Sequence, residues 1–528
     1  MDLLCAFDSA ARKTPHKPFL RHAGASITYA EMQRRSGQAA AVLQSCGVGA
    51  GDRVALMCFN TPGFVDALLG AWRLGAAVVP VNHKLQAPEV QYILRHSGAR
   101  AVLFDAALAP VLAGVDSPAR RLCTEGSVPD VLDFDAARAA AAPLAQDDAP
   151  PAPEAIAEVL YTSGTTGQPK GCLHSHQGVA LAAITAALAL SVTREERTLI
   201  AMPIWHSSPL NNWFGATLYM GGTVVLLREY HPQHFLQTVQ DEGVTLYFGA
   251  PVSYLAPLQR VPDFARYDLS SVRAWVYGGG PIGAETARQL AAAYRSERFY
   301  QVYGMTETGP VGTTLYPEEQ VERAGSIGRV ALLRYLLTTQ SRTPVERAGS
   351  IGRVALPGVD LRVVKPDGTD AAPGETGEIW LRCASAMAGY LDDPEATRAA
   401  FAPGGWYRSG DLARLDGAGY LYIVDRMKDM IVTGGENVYS KEVEDALAAH
   451  PGVADVAVFG RPHPEWGETV AARIVPRPGE TPTPEALAAY LAPRLARYKI
   501  PREFAFADAL PRTPTGKLQK YLLRGAPD

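Results

Sequence analysis

Along the first 135 residues the hydrophobic pattern switches repeatedly between two periods. Val65, Leu68, Leu69 and Trp72 recur at i, i+3, i+4 and i+7, the spacing of one face of an α-helix. Gly75 ends that helix, and 76–81 is a continuous apolar run suited to a buried strand. The run 54–57 reads the same way. Ile27-Thr28-Tyr29 is strand-like and leads into a helical stretch reaching Leu43. The apolar segment 179–192 is too short to span a bilayer and holds Thr185 and Ser191, so it predicts a buried helix. Further strands are expected at 198–203, 223–227, 244–248, 272–277 and 299–302. Helices alternating with apolar strands predict an α/β fold with parallel strands. The stretch 136–157, rich in Ala, Pro and Asp, predicts an exposed connection. After a hairpin-like 417–424 and a charged Asp425-Arg426-Met427-Lys428-Asp429, the pattern gives a helix at 440–450 and strands at 453–459 and 470–475. A helix at 484–497 completes a compact α+β unit of domain size.

Length adds the expectation of two or more domains, since 528 residues exceed one ordinary core. A net charge of −4 offers no electrostatic footprint for nucleic acid or an anionic membrane, so any anionic substrate must be met by local groups. The first residues lack the basic region and apolar core of a signal peptide. Six cysteines scattered without a C-x-x-C pair predict reduced thiols in a cytoplasm. Cys172, His174 and His176 would share one face of a strand, but no fourth ligand is suggested nearby, as zinc would usually need.

The chemistry concentrates in Tyr161-Thr162-Ser163-Gly164-Thr165-Thr166-Gly167-Gln168-Pro169-Lys170-Gly171. Glycines allow a tight loop that approaches a ligand closely, and hydroxyls, freed N–H groups and Lys170 then face it. These are the parts of a polyphosphate cradle. The mononucleotide pattern G-x-x-x-x-G-K-[ST] is not met, because Gly171 follows Lys170. Further along, Trp205-His206-Ser207-Ser208 falls at the C-terminal end of an expected strand, where open α/β sheets bind ligands. Gly278-Gly279-Gly280-Pro281 would let a flat ring approach the backbone, and Tyr303-Gly304-Met305-Thr306-Glu307 is hard to explain by packing alone.

These stretches resemble the adenylate-forming superfamily: acyl-CoA synthetases, luciferases and peptide-synthetase adenylation domains. The resemblance runs from about Thr28 to Lys517 with its motifs in order, and T-Y-x-E-M, G-V-x-x-G-D-R-V and R-L-G-A-A-V-V-P-V-N add to it near the start. It implies a large N-terminal domain of stacked mixed sheets with helices, residues 1–425, and a small mobile α+β C-terminal domain, residues 426–528. It further implies that Thr162, Ser163, Gly164, Thr165, Thr166, Gly167 and Lys170 hold the β- and γ-phosphates of ATP. Gly278, Gly279, Gly280 and Pro281 would line the adenine pocket, with Tyr303, Gly304 and Met305. Thr306 would meet the α-phosphate, Glu307 with Thr166 would hold Mg²⁺, and His206 would sit beside the substrate carboxylate. Asp411 and Arg426 would grip the ribose, Lys428 would be the hinge, Gly434 and Gly435 would leave room for a thiol, and Lys517 would bridge carboxylate and α-phosphate.

The implied activity is that of an AMP-forming acid–thiol ligase. A carboxylic acid and MgATP give acyl-AMP and pyrophosphate, and CoA then takes the acyl group as a thioester. The partners are small molecules, with no nucleic acid and no transmembrane segment, and a homodimer is left open. Gly304 stands where acetate-type enzymes resemble one another in carrying a bulky Trp, so an acid larger than acetate, fatty or aryl, is expected. Trp205, Asn211, Val252, Tyr277 and Val302 are candidates to line its pocket. The rival is an adenylate-only ligase that loads a separate carrier protein. It arises because 321–332 recurs unchanged at 345–356, just after the Y-G-x-T-E motif, where an insertion can block rotation of the small domain.

Overall fold

The computed structural model describes residues 2–144, 151–162, 168–280, 282, 284–319, 358–417, 420–433, 436–464, 466–512 and 518–524. By compactness the chain forms two units, Met1–Leu361 with Leu381–Tyr407, and Arg362–Trp380 with Arg408–Asp528. The ribbon 408–425 thus groups with the second unit, whereas the sequence puts the boundary after 425.

The first unit holds two 8-stranded sheets. In one, the parallel strands Phe299–Tyr303, Ala274–Gly278, Leu246–Gly249, Arg197–Ile200, Thr223–Leu226 and Pro18–His22 lie side by side in that order. In the other, Ile156–Thr162, Ala77–Pro80, Arg53–Met57, Ala101–Asp105, Arg120–Thr124 and Leu132–Asp133 form the parallel part, and Lys170–Ser175 adds antiparallel to Ile156–Thr162. The alternation of helices with apolar strands therefore has its expected outcome. The helix Pro62–Arg73 is buried along most of its length, and Gly70 lets it approach the helix Tyr29–Ser45. A Cβ at Gly70 would come within 2.8 Å of Ala39 Cβ. Between these helices Asp66 is fully buried yet forked by Arg35 at 2.9 and 2.6 Å. The segment 179–192 falls within and just after the helix His176–Ala189, most of which is buried.

Two local expectations shift. Tyr29 opens a helix instead of ending a strand, because the Thr28 hydroxyl accepts the Glu31 N–H at 3.2 Å and caps the helix. The helix Pro484–Leu491 stops short of 497, because Pro493 has no N–H with which to continue it.

In the second unit Val453–His463 and Gly467–Pro476 form a long antiparallel pair flanked by Ile431–Thr433 and, in parallel, Glu503–Phe506. The helices Ser440–Ala448 and Pro484–Leu491 pack Val443, Leu447, Leu487 and Leu491 onto Val458, Val470 and Ile474. This is the α+β arrangement that the pattern predicts.

Candidate active site

Thr162 and Lys170 are register partners at the connected end of the hairpin made by Ile156–Thr162 and Lys170–Ser175. Ser163, Gly164, Thr165, Thr166 and Gly167 lie outside the described residues. Lys170 Nζ is 3.5 Å from Asp393 Oδ2 and 5.2 Å from the centre of the Tyr390 ring. Tyr390 is brought there by the short strand Gly389–Tyr390, which pairs with Lys170–Ser175 and is fixed by the Leu391 N–H on the Gly171 carbonyl at 2.8 Å. On its other side the Tyr390 hydroxyl donates to Glu307 Oε1 at 3.2 Å. Burial first, and then the charge of Glu307, push the phenol well above its usual range, so it stays a neutral donor. One tyrosine thus joins the phosphate-loop lysine to the carboxylate of the Y-G-x-T-E motif. Sequence reading missed it; an aromatic set between Gly389 and the Asp392-Asp393 pair was the available signal. Tyr390→Phe is expected to lower the adenylation rate about tenfold, as loss of one hydrogen bond to a charged group implies. The Mg²⁺ dependence of that rate, measured in both proteins, checks it; an unchanged profile would remove Tyr390 from the site.

Glu307 lies in the single 3-10 turn Thr306–Thr308. The Thr306 hydroxyl is 3.0 Å from that of Ser207, and the Met387 N–H donates to the Glu307 carbonyl at 2.8 Å. The turn closes at Gly309, with φ +78°, where a Cβ would meet the Ser385 carbonyl oxygen at 2.6 Å. Only glycine fits there. Glu307 is one carboxylate, and among the described residues no group of three His, Cys, Asp or Glu could hold a metal. One carboxylate suits Mg²⁺, which takes most of its ligands from phosphates and water.

His206 sits in the turn after Arg197–Ile200, and Asn60 fastens this turn. Fully buried Asn60 donates to the carbonyls of Ile200, Met202 and Leu227 at 3.2, 3.1 and 2.9 Å, and accepts the Ile204 N–H at 2.8 Å. Next to His206, the Trp205 indole donates to His83 Nδ1 at 3.1 Å. Burial lowers the His83 pKa to about 4, so it remains a neutral acceptor. Neither Asn60 nor His83 was marked by the sequence. Beyond Ser207 the chain makes a π-helical turn, Ser208–Phe214, from which Asn212 donates to the Pro310 carbonyl at 2.9 Å. Of the pocket candidates, Asn211 and Tyr277 are fully buried, Val252 is exposed, and the Asn211 amide bonds Glu158.

Gly278 ends the strand Ala274–Gly278, Gly279 takes φ +82°, and Gly280 faces open space; Pro281 lies outside the described residues. Tyr303 ends Phe299–Tyr303. A Cβ at Gly304 would lie 2.4 Å from the Pro310 carbonyl oxygen, so the backbone itself excludes a side chain there. Met305 precedes the Thr306–Thr308 turn.

The strand face expected to carry Cys172, His174 and His176 holds only the first two. The strand ends at Ser175, whose hydroxyl caps the next helix on the Gly178 N–H, and His176 is the first residue of that helix.

In the second unit Asp411 and Arg426 are register partners on the antiparallel pair Trp406–Leu415 and Leu421–Arg426, with Arg426 Nε 3.2 Å from Asp411 Oδ1. Lys428 is exposed at the surface, yet partial desolvation, then the charge of Arg426, lower its pKa. Its carbonyl accepts from Arg524 Nη2 at 2.7 Å. Gly434, Gly435 and 513–517, with Lys517, lie outside the described residues, but Arg512 and Leu518 do not. Arg512 and Leu518 form a β-bridge, and the Gln519 N–H donates to the Pro511 carbonyl at 2.9 Å. Lys520 Nζ reaches Glu444 Oε1 at 2.8 Å and Ser440 Oγ at 2.6 Å.

The candidate site is thus a hairpin ending at Thr162 and Lys170, a carboxylate beside it and glycine-bearing strand ends, and the same chain carries an Asp–Arg ribbon. The chain belongs to the AMP-binding enzyme family, whose model matches residues 7–391, and the AMP-binding enzyme C-terminal domain matches 442–517. It is 36% identical to a feruloyl-CoA synthase of an Amycolatopsis species, over 97% of this chain and 96% of that protein. It is 35% identical to the long-chain-fatty-acid–CoA ligase FadD13 of Mycobacterium tuberculosis, over 94% and 92%. The ATP-bound MatB structure from Rhodopseudomonas palustris superposes with a TM-score of 0.84 at 30% identity, covering 99% of this chain and 98% of that one.

Proposed function

We propose that this protein is an ATP-dependent acyl-CoA ligase. It acts on a carboxylic acid larger than acetate, a medium- or long-chain fatty acid or an aryl acid. The observation that carries the reading is the placement of Lys170 and Glu307 on either side of Tyr390, at the mouth of the hairpin that bears the phosphate loop. A cation for the phosphates and a carboxylate for their counter-ion are needed together, because attack of a carboxylate on the α-phosphate brings anionic groups onto one atom. Positioning and charge neutralisation then dominate catalysis.

Residues 162–167 and Lys170 would bind the β- and γ-phosphates, and the Thr306 hydroxyl the α-phosphate. Glu307, with Thr166, would hold Mg²⁺, which supplies neutralising charge to the phosphate oxygens. His206, fixed by the Asn60-bonded turn, would orient the substrate carboxylate. The glycines at 278–280 would leave adenine room beside Tyr303. Asp411 accepts hydrogen bonds from ribose hydroxyls in this reading, with Arg426 beside it, and Lys517 joins carboxylate to α-phosphate. For the thiol step, residues 426–528 would turn about Lys428 relative to 1–425, removing Lys517 and bringing Gly434 and Gly435 to the thiol path. CoA is the acceptor, and a cytoplasm suits the six free cysteines.

The test is to incubate the protein with MgATP and a panel of fatty and aromatic acids, with and without CoA. Pyrophosphate is followed and the products are weighed by mass spectrometry. Acyl-CoA formed only when CoA is present is the expected result, and the best acid names the pocket. Accumulating acyl-AMP without a CoA ester would instead mark an adenylate-only ligase. No pyrophosphate from any acid, with 321–344 present or deleted, would end the adenylation reading.

A further inference from the structure

Glu158 is a carboxyl group that the chemistry above does not use. It lies on Ile156–Thr162, the strand that feeds the phosphate loop, and is fully buried. Among the described residues its carboxyl group has one hydrogen bond, from Asn211 Nδ2 to Oε1 at 2.6 Å. The other oxygen of each group, Glu158 Oε2 and Asn211 Oδ1, is buried without a partner. Two acceptors stranded on adjoining carboxyl and carboxamide groups are costly, and a single proton between them would satisfy both.

Among the described residues no cation is paired with it. Across the hairpin its register partner is His174, which burial holds neutral with a pKa of about 4. On the parallel neighbour the partner is Val78. From the helix His176–Ala189 the titratable side chain is His176, also lowered by burial, and the π-helical turn Ser208–Phe214 has none. The nearby Cys172 thiol is pushed up by burial and by the charge of Glu307, and stays neutral as well.

We propose that Glu158 works as a neutral carboxylic acid whose Oε2–H donates to Asn211 Oδ1. The resulting two-bond acid–amide pair makes Glu158 a positioning residue for acyl adenylation. It joins the strand leading to Thr162 with the turn that follows His206 and Ser207, and Asn212 joins the same turn to Pro310. Burial raises the Glu158 pKa to about 7, while the single Asn211 bond pulls it the other way. The positioning claim rests on the acyl-adenylating reading; the protonation claim does not.

The experiment compares the wild-type chain with Glu158→Gln and Glu158→Ala. Glutamine keeps both bonds, donating from Nε2 and accepting at Oε1, but cannot ionise. A folded pKa above the unfolded value near 4.5 means the native state binds the extra proton, so this group's contribution to stability falls as pH rises above that value. Melting temperatures from pH 4.5 to 8 should therefore drop faster for the wild type than for Glu158→Gln, so that the difference grows with pH up to about pH 7 and then levels. In acyl-AMP formation Glu158→Ala should lose about tenfold in kcat with the KM for ATP little changed, and Glu158→Gln should restore most of it. A melting difference that stays flat with pH, or a glutamine variant as impaired as the alanine one, overturns the proposal. A pH-dependent difference in a protein that adenylates no acid would keep the neutral pair and sink the ligase reading instead.

Discussion

Lys517→Ala is expected to slow acyl-AMP formation by at least about 10²–10³-fold while leaving transfer from supplied acyl-AMP to CoA nearly unchanged. The lysine is assigned to the point where a carboxylate oxygen meets the α-phosphate, and both carry negative charge. A cation placed there stabilises the transition state more than either reactant, so its loss falls on kcat. The residues on either side make the result interpretable. Arg512 and Leu518 pair across the base of the loop, and Arg512 grips Asp455 at 2.7 and 2.9 Å. Leu510 and Leu523 are buried with Phe459 and Ala471, and Leu518 packs against them. All of these contacts are made by residues other than the one substituted. Single-turnover pyrophosphate release, beside thiolysis of synthetic acyl-AMP, checks the prediction. A loss below tenfold in the first, or an equal loss in both, would take Lys517 out of the reacting centre.

Lys428→Pro is expected to do the opposite. Adenylation should survive within a few-fold, whereas formation of the CoA ester should fall at least about tenfold, because proline fixes φ at about −65° and restricts the residue before it. The residues on either side are tied down: the Met427 N–H bonds the Gly410 carbonyl at 2.8 Å, and the Asp429 N–H bonds that of Arg426 at 2.9 Å. Dihedral change concentrated at one residue between such anchors is the way hinges work. The two half-reactions, timed separately, decide the matter; matching damage to both would remove the hinge from Lys428.

Much of the fold was legible because its elements follow one rule each. The helix Pro62–Arg73 and the strand Ala77–Pro80 are nearly all core, and their periodicity states it directly. Motif residues such as Thr162, Lys170 and Glu307 were legible because glycines, hydroxyls and charges in a tight run have few packing uses. What was hidden depends on contacts between distant segments. Tyr390 reaches Glu307 across 83 positions, and Asn60 reaches Met202 across 142. A lone tyrosine or asparagine gives no hint of such a partner. Glu158 reads as an ordinary charged residue until its burial and its partner are known. The π-helical turn at Ser208–Phe214 has no compositional mark of its own.

The contact between Lys170 and Asp393 has a consequence for phosphate binding. The side chains are about one-quarter and two-fifths exposed, at 25% and 38%, so the pair adds little to stability and separates easily. In the structure, however, the lysine's charge is answered by the protein itself. If Lys170 takes the phosphates as proposed, giving up Asp393 costs little, so the pair keeps the lysine in place without holding it back.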